Sequence, residues 1–139
     1  MKKDDCIFCK IANGEIPSAT VYETPECRVI LDVAPANRGH ALILTKEHYD
    51  NIYQIDKETA AKVFALATDV AKAVQEETGC EGLNVVQNNG EVAGQTVHHF
   101  HMHIIPRHAG DDVNVTWKQG ETEPEAQKAL ADAIKKHIQ

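Results

Sequence analysis

No stretch of this sequence is apolar for long enough to cross a membrane, and the opening MKKDDCIFCK has no hydrophobic run behind its lysines. Neither a signal peptide nor a transmembrane span is expected, and the cytoplasm is the default compartment. Basic residues are few: 14 Lys and Arg stand against 21 Asp and Glu, for a net charge of −7. That balance argues against gripping nucleic acid through its phosphates, which needs a clustered cationic surface, but leaves room for one locally positive pocket that takes a small anion. Internal repeats and low-complexity tracts are missing, so neither a solenoid nor a disordered chain is indicated. There are only four cysteines, at positions 6, 9, 27 and 80, which read as reduced thiols or metal ligands sooner than as a disulfide framework.

What is present is an ordinary globular composition, 42% apolar and 25% charged over 139 residues. Such a chain fits one domain that buries roughly two-thirds of its unfolded surface. Residues 19–32, ATVYETPECRVILD, alternate around Thr24-Pro25-Glu26 and predict a hairpin of two strands. VAPANRG reads as a loop and HALILT, His40 to Thr45, as a third strand. Asp56 to Gly79 is the clearest helix: Asp56 can cap it, Val63, Leu66, Val70 and Val74 recur at helical spacing, and Gly79 stops it. GLNVVQN, residues 82–88, predicts a fourth strand, NGEVAGQ a turn-rich loop, and HFHMHIIP a fifth strand ended by Pro106. Near the end Thr122 and Glu125 form a capping box ahead of a stripe of Leu130, Ile134 and Ile138. Strands with one long helix between them predict an α+β antiparallel sheet.

The stretch TVHHFHMHIIPRH holds five of the eight histidines. On a strand, His99, His101 and His103 share one face while Phe100, Met102 and Ile104 enter the core on the other. Three explanations compete. The face is a solvated edge, or it binds a metal through three imidazoles, or a neutral imidazole acts as a nucleophile on phosphorus. Just upstream, Gly90, Gly94, Gln95 and Thr96 supply close-approach amides, a side-chain amide and a hydroxyl. Donors of that kind suit phosphate oxygens and tilt the balance toward an anion site.

GQTVHHFHMHIIPRH resembles the signature of the histidine triad (HIT) family, His-φ-His-φ-His-φ-φ with φ apolar, matched in full by residues 99–105. The resemblance runs from CIFCKIANGEIPSATVYE through VILDVAPANRGHALILTKEH to Arg107, roughly four-fifths of the chain. It implies a five-stranded antiparallel sheet with one long helix and short N- and C-terminal helices. Residues 1–110 would form the HIT domain, and 111–139 an extension ending in a helix packed on that domain. It also implies a homodimer with a continuous sheet, for which Ala61, Ala65, Ala67, Ala71 and Ala73 offer close approach on the long helix.

The activity implied is a nucleotide hydrolase or nucleotidyl transferase cleaving at the α-phosphate of nucleoside monophosphate conjugates, phosphoramidates or dinucleoside polyphosphates among them. A base resting on apolar groups such as Val33 is expected to be a purine, which has the larger stacking surface. By position His101 matches the nucleophile that carries a nucleotidyl-histidine intermediate. His103 matches the partner at the phosphate and leaving group, and His99 the group that fixes the nucleophile's tautomer. Asn88, Gly94, Gln95 and Thr96 match phosphate contacts, Asp32 a ribose contact and Val33 a base contact. Relatives opening with CIFCKI bind zinc, which here implies Cys6, Cys9, His48 and His99 as ligands of a structural ion not required for catalysis; packed free thiols are the alternative. An interaction module that binds nucleotide with incidental turnover, and a redox protein working through Cys6 and Cys9, remain open. Cys27 and Cys80 are expected to be buried. His98 is expected to face away from the triad, and His40 either to support the triad or to start a strand in solvent. Trp117 is expected in the core, or else near a partner's site.

Overall fold

The computed structural model describes residues 1–138. Its elements in chain order are helix α1 (Ile7–Ala12), strands β1 (Thr20–Glu23), β2 (Cys27–Leu31) and β3 (Ala41–Thr45), helix α2 (Lys57–Thr78), strand β4 (Gly82–Val86), a short 3-10 turn (Glu91–Ala93), strand β5 (His101–Arg107) and helix α3 (Pro124–Lys135). Local chemistry sets the boundaries. Thr24 N–H donates to Cys27 O and Cys27 N–H to Thr24 Oγ1, which closes the β1–β2 turn at Pro25. Asp56 caps α2 by accepting from Thr59 N–H, and Gly79 ends it in the left-handed conformation, donating to Gln75 O.

The five strands form one antiparallel sheet in the order β1-β2-β3-β5-β4. Its two faces bury different partners, as the two-residue strand period requires. Val29, Ala41, Ile43, Met102 and Ile104 pack under Val63, Leu66, Ala67 and Val70 of α2. Ile30, Leu42 and Leu44 on the other face pack against Ala12, Phe8 and Ile11 of α1. Leu44 pairs with His101 and Leu42 with His103, so both histidines share the α1 face. Since β5 lies between β3 and β4, the solvated-edge explanation of the histidines fails.

Several expectations need correction. β5 does not stop at Pro106 but continues to Arg107, with Pro106 opposite Leu83. The carbonyl of Pro106 turns away from β4 and accepts from Asn37 Nδ2 at 2.8 Å, so the missing N–H falls on the side where β3 has already ended and costs no ladder bond. His99 lies in the bend before β5, not on the strand. The capping box at Thr122 and Glu125 does not form: α3 has Glu123 at its N-cap without a side-chain bond, and Pro124 follows. A cap at Thr122 would need Glu123 to be helical, and the residue before a proline is held extended, here at φ −100 and ψ 129. Trp117 is not in the core but 81% exposed. No side chain of α3 is buried in the single chain, Leu130 and Ile134 included. Ala67 is on the face of α2 that packs into the core, so it is not free for approach by another helix. Cys27 and Cys80 are buried as expected. Among the described residues no helix is long and apolar enough to cross a membrane.

Candidate functional site

Hydrogen bonds fix where the protons sit on the clustered imidazoles. His101 Nδ1 lies 2.6 Å from the carbonyl oxygen of His99. A carbonyl only accepts, so Nδ1 carries the proton and Nε2 keeps its lone pair. At His40 the order is reversed. The Ala36 N–H donates to His40 Nδ1 at 2.9 Å, which leaves the proton on Nε2. That proton is donated to His103 Nδ1 at 2.9 Å, so His103 must carry its own on Nε2. The rings of His101 and His103, with centroids 5.0 Å apart, therefore offer opposite chemistry: one a lone pair, the other an N–H.

Neutral rings are a condition of this pattern, and burial supplies it. Desolvation lowers the pKa of His101. It holds His103 at about 4, helped by the nearby His101 and His40. His40 is lowered by burial against an opposing pull from Asp32. A buried imidazole next to others loses more by charging than solvent can restore. The carboxylate of Asp32 accepts from Ala34 N–H through Oδ1, a turn bond, and places Oδ2 3.6 Å from His40 Nε2. The adjoining Val33 is fully exposed.

The second histidine group centres on the N-terminal cysteines. Cys6 Sγ and Cys9 Sγ lie 3.3 and 3.4 Å from His99 Nδ1, and Cys9 Sγ lies 3.3 Å from His48 Nδ1. His99 Nε2 is 2.7 Å from Thr45 O, and His48 Nε2 is 2.6 Å from Asp50 Oδ1. Both imidazoles therefore hold their protons outward and aim Nδ1 lone pairs at the thiols. All four ligand atoms lie within 4.8 Å of one another. Zinc bond lengths in a tetrahedron imply S···N separations of about 3.6 Å, close to those found. Burial raises the pKa of the Cys9 thiol, so a proton competes with a cation for that sulfur. Two thiols and two oriented imidazoles fit a closed zinc site. Asp32, His40 and His103 form another close group, but His40 Nε2 and His103 Nδ1 share one proton, so no set of lone pairs converges there.

His99 belongs to both groups, through its ring in one and its carbonyl in the other. Phe8, which no motif singles out, is a second link. Carried between the two cysteines on α1, its ring meets that of His101 edge-on at 4.9 Å. His40 proves to be 6% exposed and bonded to the triad, not a solvated strand start. His98 is exposed, 3.5 Å from Glu91.

The loop before the triad contains the remaining expected residues. Gly90 and Gly94 have φ of 93 and 95, which other residues rarely adopt. Gln95 is buried, with Oε1 accepting from Gly90 N–H and Nε2 donating to Asp50 O and Val97 O, so its amide holds the loop in shape. Asn88 Nδ2 makes a long 3.5 Å contact to Gly94 O, and Thr96 is exposed.

A HIT domain family model matches residues 13–110. Adenosine 5'-monophosphoramidase hnt1 of Schizosaccharomyces pombe is 40% identical over 134 residues, spanning 96% of this chain and 98% of its own. Among solved structures, a member of the HIT family from Bacillus subtilis superposes with a TM-score of 0.93 at 40% identity, covering 98% of this chain and 99% of that one. A Zn-bound histidine triad family protein from Mycobacterium smegmatis does so with a TM-score of 0.74 at 32% identity, covering 95% and 94%.

Proposed function

The chain belongs to the HIT family, and from that premise we propose that it hydrolyses purine nucleoside monophosphate conjugates at the α-phosphate through a nucleotidyl intermediate on His101. The observation that carries this is the opposed proton placement on His101 and His103. His101 Nε2 attacks phosphorus in line and the bond to the leaving group breaks; water then attacks the same phosphorus and releases Nε2. His103 Nε2–H donates to the phosphate region and the leaving atom, where negative charge grows in the transition state. His99 acts through its carbonyl, which keeps the nucleophilic lone pair on Nε2.

Asn88, Gly94 and Thr96 contact the phosphate from the loop that Gln95 shapes. Asp32 accepts from the ribose hydroxyls, and the exposed Val33 offers the base an apolar surface on which a purine gains more than a pyrimidine. The hnt1 relative is named as an adenosine 5'-monophosphoramidase, which supports an AMP conjugate as substrate. Cys6, Cys9, His48 and His99 hold a structural zinc that ties α1 to the approach to β5; the oriented donor set and the Zn-bound neighbour support it. A homodimer through the β4 edge is supported by Ile52, Phe64 and Val85, all large and exposed along one cleft beside that strand.

The test is a panel of conjugates sharing one nucleoside monophosphate, with amine, phosphate-chain, acyl and sugar leaving groups, repeated with purine and pyrimidine bases and compared by kcat/KM. Turnover of at least one leaving-group class is expected, with purines ahead. The His101→Ala variant should lose about 10⁴-fold or more in kcat while nucleotide affinity changes little. Retained turnover in that variant overturns the assignment of the nucleophile, and equal turnover of pyrimidine conjugates overturns the base preference.

A further inference from the structure

Outside the triad, the densest set of polar contacts converges on Asp111. Its carboxylate accepts from Arg107 Nε and Nη2 at 2.9 Å each, from Asn37 Nδ2 at 2.9 Å, and from the backbone N–H groups of His108 and Val113 at 3.0 and 3.2 Å. Only 8% of the side chain is exposed. Arg107 is fastened in turn to Asn84 Oδ1 of β4 and to the carbonyl of Val113. The amide of Asn37 has a second bond to the carbonyl of Pro106. This clasp therefore pins the loop between β2 and β3 to the end of β5.

That loop sets the proton on His40. The His40 N–H donates to Asn37 O, while Ala36, the residue before Asn37, supplies the N–H that occupies His40 Nδ1. His103 lies on β5 just ahead of Pro106 and Arg107, so the clasp holds both ends of the His40–His103 hydrogen bond. An arginine bidentate on a buried, fully satisfied carboxylate is a stiff anchor. Released from it, the loop can withdraw the Ala36 N–H, and His40 is then free to carry its proton on Nδ1. His103 Nδ1 would lose its donor, and the proton on Nε2 would no longer be fixed.

We propose that Asn37, Asp111 and Arg107 are positioning residues for the reaction: they lock the Ala36–His40–His103 relay so that His103 presents an N–H to the substrate. This rests on the hydrolase function proposed above and adds three residues outside the triad motif to it. The clasp works through orientation, so breaking it harms the step that uses the His103 proton more than it harms binding. Conjugates with a poor, amine-type leaving group depend on that N–H; those with an activated aryloxide leaving group depend on it little.

The test compares Asn37→Ala and Asp111→Asn with Val63→Ala, a core variant chosen to lower Tm without touching the relay. Ring ¹⁵N–¹H correlation spectra read the His103 tautomer directly, and single-turnover rates are taken with an amine-leaving and an aryloxide-leaving AMP conjugate. Both clasp variants should show His103 in mixed tautomers, and should lose about 10- to 100-fold in the single-turnover rate on the amine conjugate, with a much smaller loss on the aryloxide and a half-saturating enzyme concentration within about threefold. Val63→Ala should keep the Nε2–H tautomer and an even ratio between the two substrates. A His103 tautomer unchanged in both clasp variants, or an equal loss on both conjugates, overturns the proposal. If the wild-type protein turns over neither conjugate, the hydrolase function fails, and the spectra still decide whether the clasp sets the tautomer.

Discussion

Gly39 connects the packing of the fold to the chemistry of the site, and replacing it with alanine tests both. Its φ is +94, and an added Cβ would lie 2.7 Å from Thr78 Cγ2 at the end of α2. The threonine cannot swing clear, because Thr78 Oγ1 donates to Val74 O at 2.7 Å and accepts from Cys80 N–H at 3.3 Å. Two costs therefore add. A left-handed backbone conformation for a residue with a Cβ costs about 1–2 kcal/mol, and the steric overlap a further ~1–3 kcal/mol. Gly39→Ala should lose about 2–5 kcal/mol by urea unfolding. Thr78→Ser removes only the clashing methyl and keeps both hydroxyl bonds. On its own it should cost about 0.8 kcal/mol, but in the Gly39→Ala background it should restore the overlap share, giving a coupling of about 1–3 kcal/mol in the double-mutant cycle. Because Gly39 directly precedes His40, turnover should fall with Gly39→Ala and recover only in part in the double variant. A Gly39→Ala cost under about 0.5 kcal/mol, or additivity in the cycle, refutes the reasoning.

Three further outcomes follow from the site. The native protein should carry one zinc per chain by atomic absorption and Cys9→Ser should not; removing the ion should lower stability by about 4 kcal/mol if it stands near 1,000 times its Kd, whereas a metal-free preparation with unchanged Tm contradicts the zinc site. The folded pKa of His103 is held down at about 4 against an ordinary 6.5, so the unfolded chain takes up its proton first. The stability it contributes is complete above pH 6.5 and is lost as pH falls toward 4, at up to about 1.4 kcal/mol per pH unit. Urea midpoints between pH 7 and 4 should therefore fall less steeply in His103→Asn than in the native protein, and equal slopes contradict a neutral buried His103. His40→Ala should lower kcat by about 10-fold or more with KM nearly unchanged, and a change confined to KM would show that His40 serves binding alone.

Much of this was visible in the sequence because it is written in short-range patterns. Asp56 and Gly79 bracket a helix found where their capping chemistry puts it, and the alternation of histidine with apolar residues over 101–104 separates the histidine face of the sheet from the α2 face. The cysteine pair was also visible, although its convergence with His48 and His99 needed the family resemblance, since spacing alone cannot bring residues 93 apart together. What stayed hidden depends on backbone atoms and long-range contacts. No residue type announces that the Ala36 N–H fixes a proton on His40, or that the His99 carbonyl does the same for His101. Pro106 looked like a strand terminator because the direction of its carbonyl is invisible in one dimension. The Thr122 capping pattern failed because the proline two residues later had the stronger claim on the local backbone.

The central claim is that His101 takes the nucleotidyl group before water does. The stereochemistry at phosphorus tests it most directly, using an AMP conjugate made chiral by sulfur at the α-phosphate and hydrolysed in ¹⁸O-labelled water. Two successive in-line displacements at His101 Nε2 predict net retention of configuration. Net inversion, the mark of a single direct attack by water, would contradict the account.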